Sequence, residues 1–257
     1  MEESTIKNID QMIGLVNKYK LPIFDEHFER RSNENEVNLA NHNELLRHLV
    51  ILVVYSQQAR SKSVGKVIDS GALDNAFLQF NVSEVSKLNP CDVVEEHWQD
   101  IKGIRQQTKV FQVVMLARKI PEISDLLVSS CIPKHIKTST DLEAFWIGFG
   151  KLKKEFKNNS VPFFRETTSL LHLLTSLGYD CIKPDSAVLK AARKLEFLYT
   201  EKKPNDKELI QVVKTIQSYS IHTQRINPPP VLDLYLLVHG EQTEASDFVA
   251  SAYYKTT

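Results

Sequence analysis

Apolar residues recur at helical spacing along most of this chain of 257 residues. Within residues 94–119, Trp98, Ile101 and Val110 follow a helical period that is interrupted near Gly103. Sustained alternation of period two, which strands require, is absent from the sequence, and glycine is scarce at 8 residues. We therefore predict an all-α fold with about ten helices and short connections.

The cysteines and the apolar runs restrict the compartment. Cys91, Cys131 and Cys181 have neither the spacing of metal ligands nor that of a disulfide framework, which favours a reducing compartment. The start, MEESTIKNID, is polar and unlike a signal peptide, and the longest apolar run, residues 49–55, is too short to cross a bilayer. We expect an intracellular protein, in the cytoplasm and nucleoid or in the nucleus, without membrane segment, metal or cofactor.

The net charge is zero, but the charges are unevenly distributed. Residues 1–50 contain 6 Lys and Arg against 9 Asp and Glu, whereas residues 101–200 contain 16 against 9. A basic middle is compatible with a polyanionic partner. It is also typical of solvated helix faces, which is the commoner situation. Charge alone therefore leaves both interpretations open.

Residues 167–185, TTSLLHLLTSLGYDCIKPD, predict a helix, a stop and the start of a second helix. The apolar helix ends at Gly178, because glycine accepts the left-handed conformation that closes a helix. Pro184 then precedes Asp185, which puts this carboxylate at the start of the next helix. Two interpretations follow. Asp185 is a helix cap, or it is a carboxylate for chemistry on a substrate that develops positive charge.

Three segments resemble the helix-hairpin-helix DNA glycosylases, the superfamily of endonuclease III and 8-oxoguanine glycosylase. Residues 56–66, SQQARSKSVGK, are similar to a family pattern in which a glutamine fills the gap left by an extruded base. Residues 161–169, VPFFRETTS, stand where the family has its hairpin, and Asp185 follows Thr167 by 18 residues, the family's interval to its catalytic aspartate. Residues 232–235 are similar to the family's closing helix. Together the resemblance covers roughly residues 44–240.

The chain departs from the family hairpin at three positions. Phe163 and Arg165 replace glycines that let backbone N–H groups approach a phosphate, although an arginine side chain offers another phosphate contact. Thr167 replaces the lysine that attacks the sugar in bifunctional members. Threonine cannot form a Schiff base, and the same holds for Thr168 if the alignment shifts by one. The resemblance therefore implies a monofunctional enzyme that releases a base and leaves the strand uncut.

The resemblance also implies roles for individual side chains. Asp185 is the implied catalytic carboxylate, because cleavage between base and sugar builds oxocarbenium character on the sugar. The implied DNA contacts are Gln58, Lys62, Arg165, Thr167, Thr168 and Lys190. The implied base pocket is Phe145, Trp146 and Phe149. The alternatives are a helix cap for Asp185, solvated surface residues for the cations and an ordinary core for the aromatic stripe.

These inferences combine into one organisation and three functional hypotheses. We predict an N-terminal helix and polar loop over residues 1–43 that packs on the C-terminal lobe, and a two-lobed glycosylase-like domain over residues 44–257. The leading hypothesis is a monomeric, monofunctional DNA glycosylase that acts on duplex DNA. The first alternative is a catalytically inactive relative that binds DNA or protein, which the altered hairpin favours. The second is an unrelated helical interaction protein.

Overall fold

A computed structural model describes residues 2–32, 37–56, 59–242 and 245–256. Over these ranges the chain forms α-helices and short 3₁₀ helices, and it contains no strand. None of the helices in these ranges is long and apolar enough to cross a membrane. The all-helical prediction is confirmed.

Fourteen α-helices occur in the described ranges. They are α1 (Glu3–Tyr19), α2 (Pro22–Ser32), α3 (His42–Val54), α4 (Ser61–Asp69), α5 (Ala72–Ala76), α6 (Val82–Val85), α7 (Pro90–Ile101), α8 (Thr108–Ala117), α9 (Ile120–Ser129), α10 (Ser139–Asn158), α11 (Thr167–Ser176), α12 (Ser186–Lys194), α13 (Asp206–His222) and α14 (Pro229–His239). The number exceeds the prediction partly because residues 94–119 contribute to two helices, which a 3₁₀ turn at Lys102–Ile104 separates.

The N-terminal polar stretch corrects one expectation. Residues 25–32, predicted as part of the polar loop, belong to α2. Pro22 lies in the first turn of this helix, where the N–H that a proline lacks would have no partner within the helix. Asp25 lies near the N-terminus of α2, and Arg30 and Arg31 lie in its last turn, so the charges complement the helix dipole. Phe24 is fully buried, with its ring centroid 5.1 Å from that of Tyr235. The burial of Phe24 thus stabilises a helix whose polar composition is typical of a loop.

The chain folds into two compact units, each with a core of its own. Unit 1 comprises residues 1–36, 132–148 and 167–257, and unit 2 comprises residues 37–131 and 149–166. Each unit is therefore assembled from segments that are distant in sequence, and the residues of α10 are shared between them.

The core of unit 1 forms around α14. Nearly every residue of this helix is buried, and it packs against α1, α2, α12 and α13. At Gly240, the residue after α14, the backbone passes close to α12, and an added Cβ would lie 1.9 Å from the carbonyl oxygen of Ala187. Only a glycine fits this approach. This contact at Gly240 places the C-terminal end of α14 against the first turn of α12.

The core of unit 2 forms around α3, which packs against α8 and α9. Most of α3 is apolar and buried, as its sequence predicts. Lys109 on α8 is fully buried, and its Nζ donates to the carbonyl oxygens of Val54 at 2.8 Å and Ser56 at 2.7 Å. This ammonium group therefore satisfies carbonyls at the C-terminal end of α3.

Candidate active site

A cavity of about 420 Å³ lies within unit 1, large enough for a nucleobase or a small ligand. The carboxylates on its wall are Asp180, Asp185 and Asp233. The cations on its wall are Arg30, Arg31, Lys183 and Arg225. A cavity lined by both signs of charge is suited to a polar ligand rather than to an apolar one.

Asp185 is held in place by the helix that it precedes. It is the N-cap of α12, and its Oδ1 accepts hydrogen bonds from the backbone N–H groups of Ala187 at 3.1 Å and Val188 at 3.2 Å. Within the described residues, Oδ2 accepts no hydrogen bond. The cap therefore uses one oxygen of a half-buried side chain that also lines the cavity. The two interpretations of Asp185 are compatible in this geometry.

Asp233 brings a second carboxyl group to the same wall from inside α14. Its side chain is only 8% exposed, and its Oδ2 lies 2.5 Å from Nη1 of Arg31. Oδ1 is buried and has no hydrogen-bond partner among the residues that the structure describes. Burial raises the pKa of Asp233, the guanidinium of Arg31 opposes this, and the charge of Asp185 adds to it. A buried carboxyl oxygen on the wall of a polar cavity can accept a hydrogen bond from a ligand group.

Asp233 is not among the predicted site residues, because residues 232–235 are predicted only as part of a closing helix. A signal was nevertheless present in the sequence VLDLYLLV, where one carboxylate interrupts a run of apolar residues. Charged residues are rarely buried unless they are paired, so a carboxylate within an apolar helix indicates a cationic partner elsewhere in the fold. The partner, Arg31, lies far away in sequence and on a helix that was not predicted.

Asp180 and Arg225 fix another part of the wall. The carboxylate of Asp180 is 3% exposed and forms a two-pronged ion pair with the guanidinium of Arg225, in which Nη2 lies 3.2 Å from Oδ1. The backbone N–H of Ile136 donates to Oδ2 of Asp180 at 2.7 Å, and Arg225 donates to the carbonyl of Ile136 at 3.1 Å. Three segments that are distant in sequence are therefore tied together beside Asp185.

Two cations on the wall remain without a carboxylate partner in the described ranges. Lys183 is half-buried, and Arg30 is exposed with its Nη2 2.5 Å from Nδ1 of His27. Arg31 and Arg225, by contrast, are each paired with a carboxylate. Lys183 and Arg30 thus leave positive charge on the wall next to Asp185, which suits an anionic group on the ligand.

The segment predicted as a hairpin connects α10 to α11. The N–H of Val161 donates to the carbonyl of Phe156 at 2.9 Å. Phe163, which replaces the first glycine of the family pattern, has a φ of 64°, the left-handed conformation that glycine normally adopts. The backbone conformation expected of a glycine is thus present, with an aromatic side chain on it.

The other predicted DNA contacts differ in accessibility. Gln58 lies outside the described residues. Lys62, Arg165 and Lys190 are exposed, Thr168 is half-buried and Thr167 is buried. Lys190 forms an ion pair with Glu241, which Lys194 also contacts at 2.6 Å. Among the predicted site residues, Asp185 is the one on the wall of the described cavity.

The predicted base pocket lies in a well-packed environment. Phe145 and Phe149 are buried. Trp146 is half-buried, its Nε1 donates to Oε1 of Gln217 at 2.9 Å, and the ammonium of Lys214 lies 5.5 Å from its ring centroid. None of the three aromatic residues belongs to the described wall of the 420 Å³ cavity. Base stacking by these residues stays a prediction.

No protein-family model, no curated protein and no solved structure matches this chain. Within the part of the chain that the structure describes, no three His, Cys, Asp or Glu residues converge as metal ligands.

Proposed function

We propose that this chain is a monofunctional DNA glycosylase in which Asp185 is the catalytic carboxylate. The observation that carries the proposal is the geometry of Asp185. One oxygen is engaged by the N-terminus of α12, and the other accepts no hydrogen bond from the described residues of a polar cavity wall. A carboxylate held in one orientation at a cavity can stabilise charge without reorganising during the reaction.

The proposed reaction is hydrolysis of the bond between a base and C1′ of its sugar. As this bond breaks, positive charge builds on the sugar, and the carboxylate of Asp185 stabilises it. Water then attacks C1′, its proton passes to Asp185, and the departing base finally receives it. Thr167, in the position of the family's lysine, provides no amine, so the strand stays intact beside the abasic site.

Two further features of the wall support a base in the cavity. Oδ1 of Asp233 is buried without a described partner, and a base offers N–H groups that would satisfy it. Lys183 and Arg30 supply positive charge for the phosphates that flank the extruded nucleotide.

The decisive experiment measures base release from duplex oligonucleotides that carry uracil, alkylated bases, oxidised bases or mismatches. We expect the wild-type protein to release at least one of these bases and to leave an alkali-labile abasic site. Asp185→Asn should reduce the rate by on the order of 10²–10³-fold or more, since it removes the charge that opposes the oxocarbenium.

Asp185→Ser is the matched variant, because serine caps a helix about as well as aspartate does but carries no carboxylate. Both variants should therefore unfold at the wild-type denaturant midpoint while losing activity. The proposed glycosylase activity is refuted if the wild-type protein releases no base from the whole panel. The catalytic role of Asp185 is refuted if Asp185→Ser keeps full activity.

The alternative is a non-catalytic module that binds DNA through the same scaffold. Phe163 and Arg165 favour it, because a side chain on the hairpin obstructs the close approach of backbone N–H groups to a phosphate. This alternative predicts salt-dependent DNA binding that is unchanged in Asp185→Asn and yields no product.

A further inference from the structure

The connection between α9 and α10 places a histidine on the cavity wall. His135 lines the cavity, and its side chain is 36% exposed. Its Nδ1 is buried and lies 3.7 Å from Oδ2 of Asp180. The buried nitrogen therefore faces the carboxylate, and Nε2 lies on the ring edge that is turned away from it. A carboxylate beside one ring nitrogen orients a histidine for proton transfer through the other.

The backbone on either side of His135 is bound to the same aspartate. The carbonyl of Lys134 accepts the backbone N–H of Asp180 at 2.8 Å, and the N–H of Ile136 donates to Oδ2 of Asp180 at 2.7 Å. Arg225 donates both to the carbonyl of Ile136 and to the carboxylate. The segment lies outside the helices, but these hydrogen bonds hold its backbone in place. His135 can therefore contact a ligand with little further loss of backbone entropy.

The proposed reaction needs a group that carries a proton across the cavity. Water delivers its proton to Asp185, whereas the departing base takes up a proton at the nitrogen that leaves C1′. Asp185 is held by its hydrogen bonds to the first turn of α12, so its carboxyl group cannot follow the base. His135 lines the same cavity, and a base that occupies the cavity can contact its imidazole.

We infer that His135 is a catalytic residue that relays this proton to the departing base. The inference rests on the proposed function and deepens it. In the imidazolium form, both ring nitrogens carry a proton. As the bond between C1′ and the base breaks, its electron pair stays with the base, and the base nitrogen takes the proton from Nε2. The neutral imidazole then accepts the proton that Asp185 received from water, which restores both the imidazolium and the carboxylate.

The test measures single-turnover release of the base in the duplex panel that the wild-type protein releases fastest. His135→Ala and His135→Gln should each slow release by about 10²-fold, the usual contribution of a general acid. His222→Ala is the matched control, because His222 is an exposed histidine of the same unit and is not on the described cavity wall. It should keep the wild-type rate, and all three variants should unfold at the wild-type denaturant midpoint.

Chemical rescue separates proton transfer from a structural role. Imidazole fits the space that His135→Ala opens and can donate a proton, so it should raise the rate of this variant by about tenfold or more. Pyrazole has the same shape but is hardly protonated near neutral pH, so it should leave the rate unchanged. In His135→Gln the glutamine occupies the space, and imidazole should have no effect.

The relay is refuted if His135→Ala releases the base as fast as His222→Ala does. It is also refuted if imidazole restores no activity, or if pyrazole restores as much as imidazole. In these cases the wild-type protein still releases a base, so the proposed glycosylase stands with another proton donor. A wild-type protein that releases no base contradicts the relay and the glycosylase together.

Discussion

Units 1 and 2 differ in the polar groups that they bury. In unit 1 the buried side chains include two carboxylates, Asp180 and Asp233. Within the described part of unit 2 the buried charged side chain is Lys109, and two backbone carbonyls bind it. Burial of an ion is costly even when it is paired, so a cavity wall that contains several such groups indicates a binding or catalytic site. The comparison therefore places the candidate site in unit 1.

The largest stability effect is expected from the ion pair that holds the cavity wall. Asp180→Ala leaves the guanidinium of Arg225 and the N–H of Ile136 without their acceptor, which should lower the free energy of unfolding by about 3–5 kcal/mol. The control is Asp74→Ala in unit 2, where Asp74 pairs with a half-exposed Arg47 and should cost at most about 1 kcal/mol. Urea denaturation measures both. Equal losses in the free energy of unfolding would show that burial of the Asp180–Arg225 pair does not raise its contribution to stability.

The pH dependence of stability should come partly from His239. Burial lowers the pKa of His239 to about 4, and the nearby charge of Lys194 adds to this. Between pH 6.5 and about 4 the unfolded chain binds the proton more readily than the folded one, so stability is present above this window and is lost as the pH falls through it. The loss should reach up to about 3 kcal/mol.

His239→Gln should flatten this dependence between pH 7.5 and 4.5, as followed by urea denaturation. His222→Gln, at an exposed histidine of the same unit, serves as the control and should keep the wild-type slope. A slope that persists in His239→Gln would mean that other buried groups of unit 1 are responsible.

A smaller effect is expected from the buried lysine of unit 2. Lys109→Met fills a similar volume but removes the side-chain donor to the carbonyl of Val54 and one of the two donors to the carbonyl of Ser56, which also accepts the N–H of Ala59; this should cost about 2 kcal/mol. Lys102→Met, at an exposed position of unit 2, should be neutral. A loss larger than that of Asp180→Ala would contradict the view that the costliest buried charge lies in unit 1, whereas a neutral Lys109→Met would support it.

The elements that could be predicted are those whose signals are local. The helical period predicted α10 and α13, and the proline run before α14 and Gly240 after it bounded that helix to within a few residues. Pro184 followed by Asp185 correctly predicted a helix start with a carboxylate cap. The helix α2 was missed, because Phe24 acts through a ring on a helix about two hundred residues away in sequence.

The candidate site also contains one residue that local sequence predicts and several that it does not. Asp185 was found from the residues next to it, since a helix cap depends on only a few positions. The pairs Arg31 with Asp233 and Asp180 with Arg225 join positions that are far apart in sequence, and no local pattern reports them. Local sequence signals were enough to predict most of the long helices and the cap at Asp185. Only the tertiary structure decided that this cap lines a charged cavity, because burial and pairing exist only once distant segments are packed together.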